Sequence, residues 1–355
     1  MSFIRNVFSL SYTKKEGRID LYDFIRGFAM LLVVMQHSEI LGQKYLLAFH
    51  MPLFFFLTGF VSGSRKNTEF FKWVFPRFKR LMVPYLAFGG LFIVSYYVLS
   101  LVIGTDYNII NALFGMVTGQ YGFVNQFLSG IYWFLMTLFV AELLAYPFCK
   151  LADSNDSLHY FALVGGGILF IVLSYITTHG HPVTLFTIDK SFMAAAFILL
   201  GKICKPLALY LLNGVRLSYY IIIFLCSVLV YFSVIHNSQD VLMFLNQYGD
   251  YSWFFISSLS GIIASILLAR IIEAILSKEG LVYKFLLWTG YNSLALFPVH
   301  VTVLIFLRLS GFYDIIGVDN FLIHFVIALG TGIPLSNFIS KYLPWLLGET
   351  KKVKK

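Results

Sequence analysis

In the first long apolar run of the chain, RGFAMLLVVMQH, Arg26 and His37 stand eleven residues apart. Ionisable side chains are costly inside a bilayer, so each one in an apolar run is a functional hypothesis by default. At about 100° per residue, the spacing leaves an offset of roughly 20°, so both side chains share one helix face about 16 Å apart along the axis. A cation at one mouth and an imidazole deeper in would suit an anionic cofactor entering from the cationic end, which the charge distribution below makes the cytoplasmic one. The plainer reading is a snorkelling Arg26 paired with Asp23, three residues earlier, and a hydrogen-bonded core His37. His50 opens the next apolar segment, FHMPLFFFLTGF (residues 49–60), level with His37 across a short loop. Two neutral imidazoles at one depth could share general-base work near pH 7; alternatively His50 is an interfacial residue in water. Pro52 suits the first turn of a helix, and Thr58 and Gly59 allow close helix approach. In PRFKRLMVPY (residues 76–85), Arg77 and Arg80 flank Lys79. Such a cluster either grips phosphates or only enforces membrane orientation.

Further along, Asp189 opens an apolar segment, where a carboxylate complements the helix dipole or binds a ligand hydroxyl. His300 falls mid-span after Pro298, too deep for a surface residue, and is either a packed core group or part of a site. Trp133 reads as an interfacial aromatic. His179 and His181 have no evident third ligand, so no metal is expected. Cys149, Cys204 and Cys226 are widely spaced and form neither a disulfide framework nor a zinc signature.

The elements that must position these residues follow from composition. Of 355 residues 59% are hydrophobic and 12% charged, with a mean hydropathy of +0.81. Soluble domains carry roughly 25% charged residues, so lipid must cover much of the exterior. A spanning helix needs about 20 apolar residues. Ten runs qualify, near 23–41, 46–63, 83–104, 130–149, 158–178, 190–204, 216–235, 253–276, 286–307 and 320–343, the sixth being the weakest. The stretch between Gly104 and Gly130 would lie along the interface. With the N-terminus inside, only Lys44, Lys190 and Arg308 of the 26 lysines and arginines fall outside, while Arg26 lies within the first span. The positive-inside rule therefore supports an all-α, polytopic membrane helix bundle of about ten transmembrane helices with both termini cytoplasmic. The expected organisation is a cytoplasmic segment (1–22), the membrane domain (23–343) and a basic tail (344–355), with no cleavable signal. The net charge of +9 is thus spent on orientation rather than nucleic acid. No internal repeat is evident, which weighs against a transporter.

Three segments in order, RIDLYDFIRGFAMLLVVMQH, FHMPLFFFLTGF and RFKRLMVPY, resemble the acyltransferase-3 family of integral-membrane acyltransferases, particularly short members related to sugar O-acetylases. The family's motif of a basic residue, ten positions and a histidine is matched by Arg26 and His37. YWFLMTLF (132–139), IDKSFMAAAFILLG (188–201) and GYNSLALFPVH (290–300) are similar too, and Trp133 matches the family's tryptophan. The chain differs in Thr58, where many members have serine or a small residue, and the fused extracytoplasmic domain of longer members is not expected from these residues. The resemblance implies acyl transfer, usually acetyl, from cytoplasmic acetyl-CoA to a hydroxyl of an envelope sugar or lipid-linked glycan, at the inner membrane. By position, His37 would be the catalytic histidine with His50 assisting. Arg26, Arg77 and Arg80 would hold the donor, and Trp133 would sit with the substrate; the residues themselves leave Asp189 open to a sugar hydroxyl and His300 open to a place in the site. Two rival readings remain at this level. One is a proton-coupled transporter or channel lined by Arg26, His37 and His300, and the other a non-catalytic partner in glycan assembly.

Overall fold

A computed structural model describes residues 10, 19–119, 126–180, 184–207, 210, 213–317 and 319–349, with only the backbone of 126–132. The N-terminal basic residues before Ile19, His181 and the lysines from 351 onward lie outside the described residues. Among the described residues the chain is all-helical, with no strand and one isolated bridge between Leu242 and Gln247. It divides into two compact units. The first comprises Met1–Val61, Cys204–Met243 and Gln247–Ser340, and the second Ser62–Ile203, Phe244–Asn246 and Lys341–Lys355.

The first unit holds α1 (Asp20–His37), α2 (Gln43–Leu47) and α3 (His50–Phe60). The second unit follows with α4 (Phe70–Ile103), α5 (Ile109–Thr118), α6 (Gln126–Ser154), α7 (His159–Gly180) and α8 (Ile188–Ile203). The first unit is completed by α9 (Ser218–His236), α10 (Tyr251–Ile275), α11 (Leu281–Tyr291), α12 (Ser293–Leu309), α13 (Phe312–Ile316) and α14 (Phe321–Tyr342).

Six described helices are long and apolar enough to cross a membrane: Phe70–Ile103, Trp133–Ser154, Asp156–Gly180, Ser218–His236, Tyr251–Ile275 and Phe321–Tyr342. A seventh crossing results if α11 and α12, bent by 92° at Asn292, form one broken span. Only 22% of the apolar window of α9 is buried inside the protein, and Phe224, Leu225 and Leu229 are exposed. A helix apolar on its outer face needs lipid there, so the chain is a multi-pass membrane protein. All ten apolar runs of the sequence do form helices. Four of them are shortened, charged or broken: α1 carries Asp20, Asp23 and Arg26, α3 has 11 residues, α8 has 16, and the ninth run is divided at Asn292.

Two glycines set the packing of the first unit. A Cβ on Gly27 would stand 1.9 Å from the Leu286 carbonyl oxygen, and one on Gly290 would stand 1.8 Å from that of Asp23. α1 and α11 therefore touch backbone to backbone, and Phe24, Tyr283, Leu286 and Leu287 close over the crossing. α10 presents buried Ser257, Ser258, Ser260, Gly261 and Ser265 to its neighbours, the small-residue surface that lets membrane helices approach closely.

In the second unit α4 runs for 34 residues through Pro76 and Pro84, well before the span expected to begin at 83. Hydropathy marks the part inside lipid, whereas the helix continues on its N-terminal side with Phe71 and Phe75 exposed between basic residues. The stretch after Gly104, expected to lie along the interface, contains α5, whose Ile110, Phe114 and Val117 are exposed.

Candidate active site

The first unit brings three of the sequence-selected histidines together. His37 is the last residue of α1. The chain leaves the helix at Ser38, whose hydroxyl donates to the Val34 carbonyl at 2.7 Å, and then passes through Glu39 at φ 61°. His300 on α12 meets His37 with ring centroids 5.4 Å apart and planes inclined by 57°. His50, the first residue of α3, is close enough to His37 to interact with it electrostatically.

Hydrogen bonding fixes the tautomers of two of the rings. His300 Nδ1 lies 2.9 Å from the Leu296 carbonyl oxygen and His50 Nδ1 lies 2.7 Å from that of Leu46. A carbonyl only accepts, so each Nδ1 carries the proton in the neutral ring and each Nε2 presents a lone pair. His300 is fully buried and its Nε2 has no hydrogen-bond partner among the described residues. Such an orphaned acceptor calls for an explanation, and the His37 ring beside it is a candidate donor.

Each ring is placed by features of its own element. Phe49, before His50, packs on Gly261 so tightly that a Cβ there would stand 2.1 Å from Phe49 Cγ. Ser258 Oγ donates to the Ala48 carbonyl at 2.7 Å, tying the same corner to α10. Asn292, at the bend before α12, donates to the Trp288 carbonyl at 3.1 Å, and the Trp288 indole N–H donates to Asn337 Oδ1 at 3.0 Å. Since Gly290 locks α11 to α1, the bend that follows delivers His300 to His37.

Arg26 pairs with Asp23 at 2.8 Å, the pairing weighed from sequence. An open cleft of about 570 Å³ lies at the N-terminal end of α1, lined by residues including Asp20, Lys278, Glu279 and Lys284.

The remaining candidates belong to the second unit. Arg77 Nη1 pairs with Glu142 Oε1 at 3.0 Å, with the Glu142 carboxylate buried. Arg80 lies one turn further on the same helix. Trp133 is buried on α6 one turn before Thr137, whose hydroxyl donates to Thr187 Oγ1 at 2.9 Å. Two residues after Thr187, Asp189 is held by Lys190 at 2.9 Å, so Trp133 and Asp189 occupy the same end of the unit. Among the described residues no group of three or more His, Cys, Asp or Glu could hold a metal ion.

Sequence reasoning missed a buried ionic network in this unit. Asp153 accepts from the Arg65 amide at 2.7 Å and from Lys202 Nζ at 2.9 Å. The Arg65 guanidinium lies over Trp73, 4.8 Å from its ring centroid. Glu142 sits inside the apolar run 130–149, and the rule that singled out Arg26 would have found it. Arg65 and Lys202 stand among the basic residues that the positive-inside rule places in the cytoplasm, and that rule says nothing of an ionic partner.

The acyltransferase-3 family model, described as an acyltransferase domain, matches residues 19–341, which include every candidate residue above. No curated protein and no solved structure matches the chain. A match over nearly the whole of a multi-pass, all-helical chain shows that this protein belongs to the acyltransferase-3 family and is a membrane acyltransferase.

Proposed function

We propose that this acyltransferase moves an acetyl group from cytoplasmic acetyl-CoA to a hydroxyl of an envelope sugar or lipid-linked glycan, with His37 as general base. The observation that carries the reading is the contact of His37 with His300, a ring whose tautomer is fixed and whose buried lone pair lacks a partner among the described residues. In this scheme one His37 nitrogen donates to His300 Nε2, which leaves the other nitrogen as a base. His300 is then a positioning residue that steadies the imidazolium once formed, the role that the third member plays in hydrolytic triads.

A sugar hydroxyl is a poor nucleophile until its proton has somewhere to go, whereas a thioester has a good leaving group. His37 takes the acceptor proton as the oxygen bonds to the acetyl carbon, and the carbon–sulfur bond then breaks. His37 returns the proton to the departing thiolate, so the products are an O-acetyl ester and free CoA. His50, with its Nδ1–H committed to Leu46, can accept a second acceptor hydroxyl and orient it.

The charge distribution supports ten crossings of the inner membrane with both termini cytoplasmic. That topology puts Arg77 and Arg80 on the side where acetyl-CoA is available, and we assign them to the donor's phosphates, with Arg26 on the same side. Trp133 and Asp189 fall at the opposite end and suit acceptor binding. The test compares O-acetyl esters on surface glycans of a deletion strain and its parent. Wild-type protein should restore the esters, and His37→Ala protein, inserted at equal level, should not. Full restoration by His37→Ala would overturn the assignment.

A further inference from the structure

Beyond the paired imidazoles, along both elements that carry them, the first unit has a polar cluster that the reaction scheme does not use. Glu39 follows His37 by two residues, and Arg308 follows His300 by eight on α12, about 12 Å along the axis. The two pair at 2.8 Å while remaining roughly half exposed. Tyr313 on α13 lies within electrostatic reach of Arg308, Asp319 and Glu39. Its ring packs edge-on against His324, with centroids 4.4 Å apart. His324 Nε2 lies 2.7 Å from Asp319 Oδ1, an ion-pair distance.

The Tyr313 hydroxyl is the observation that points to a ligand. Tyr313 is 5% exposed, and its hydroxyl has no hydrogen-bond partner among the described residues. Burying a hydroxyl without a partner is unfavourable; His324 packs against this ring, and Arg308, Asp319 and Glu39 lie within electrostatic reach of it. Burial pushes the phenol upward in pKa, so it remains a neutral O–H that can both donate and accept. The surrounding groups are two carboxylates, one guanidinium and one imidazole. This mixture repels an anionic ligand and gives an apolar one nothing to hold. It matches a neutral molecule with many hydroxyls, each able to donate to a carboxylate and accept from an arginine.

We propose that Glu39, Arg308, Tyr313 and Asp319 form an outer subsite that holds a neutral, polyhydroxylated acceptor, so that one of its hydroxyls reaches the His37–His300 pair. The subsite rests on the acetyl-transfer reading above and adds where the acceptor binds and what kind of acceptor fits.

The test uses the full chain purified in a detergent without a sugar headgroup, with acetyl-CoA as donor and a panel of methyl glycosides as acceptor probes. Release of the CoA thiol is followed against probe concentration. Wild-type release should rise saturably with at least one glycoside. Tyr313→Phe removes only an oxygen that has no hydrogen-bond partner among the described residues. It should raise the half-saturating probe concentration by roughly threefold to tenfold, the weight of one neutral hydrogen bond, with the maximal rate within about twofold. Asp319→Asn, at a side chain 62% exposed, should raise it by about tenfold or more and carries the test if Tyr313→Phe protein does not fold. A purely structural role for the cluster would change stability and leave this concentration alone. Unchanged half-saturation in both variants overturns the subsite. If no glycoside stimulates wild-type protein that still cleaves acetyl-CoA, the sugar acceptor and the subsite fall together while the acyltransferase assignment stands.

Discussion

Replacing Gly290 by alanine adds one methyl group where α11 rests on α1. Its Cβ would meet the Asp23 carbonyl oxygen at 1.8 Å, the Asp23 carbonyl carbon at 2.7 Å and the Gly27 nitrogen at 3.0 Å. All three are backbone atoms, so no rotamer change relieves the clash. Ordinary contact begins near 3.4 Å, so the helices must part by about 1.6 Å. Overpacking a core with flexible neighbours costs about 1–3 kcal/mol; with rigid ones the upper end, roughly 3 kcal/mol, is expected. The same displacement moves α12 and the His300 ring relative to His37, and a misplacement of about 1 Å can cost roughly 100-fold in rate. Gly290→Ala protein should therefore show a lower thermal midpoint in detergent and an acetyl-transfer rate reduced by more than its loss of folded protein explains. A variant with wild-type midpoint and wild-type turnover would refute the backbone contact and the account of how His300 is positioned.

Two further predictions concern the second unit. Arg77→Gln leaves the buried Glu142 carboxylate without its cation, which should destabilise the protein by about 2 kcal/mol, discounted for the partly exposed arginine. Adding Glu142→Gln should restore the thermal midpoint, so any defect in acetyl-CoA binding that persists in the double variant reports on the donor site. In the triple glycine of α7, Cβ atoms at Gly165 and Gly167 meet nothing within 4 Å, whereas one at Gly166 meets Phe148 at 2.5 Å and Leu199 at 2.9 Å. Alanine at the outer two positions should be neutral or stabilise by up to about 1 kcal/mol. At Gly166 it should cost about 1–2 kcal/mol while the Phe148 ring shifts, as thermal midpoints would show.

Local features of the fold were legible because they depend on local composition. Every apolar run is helical, though the ninth is divided into two helices, since lipid leaves the backbone no other way to satisfy its polar groups. The limits lay where tertiary contacts decide. Hydropathy does not register a break, so the ninth run read as one span although it bends at Asn292. The one hint was the Gly290-Tyr291-Asn292 sequence. The helical offset put Arg26 and His37 on one face, yet the contact of His37 with His300 depends on a crossing at Gly27 and Gly290, which no spacing along one helix encodes. The pairing of Arg77 with Glu142 was not legible because the two residues stand 65 positions apart. The cluster around Tyr313 escaped notice because its residues come from separate segments, each unremarkable alone.

The pairing of His37 with His300 is tested most directly by a double-mutant cycle on acetyl transfer from acetyl-CoA. His37→Ala, His300→Ala and the double variant would be compared as purified, folded protein. Loss of a general base costs about 100-fold to 10,000-fold, and residues that act as one unit are strongly non-additive. The expected result is that His37→Ala falls by at least 100-fold and that adding His300→Ala lowers the rate no further. Independent, multiplicative losses, or a His37→Ala protein with wild-type turnover, would contradict the account.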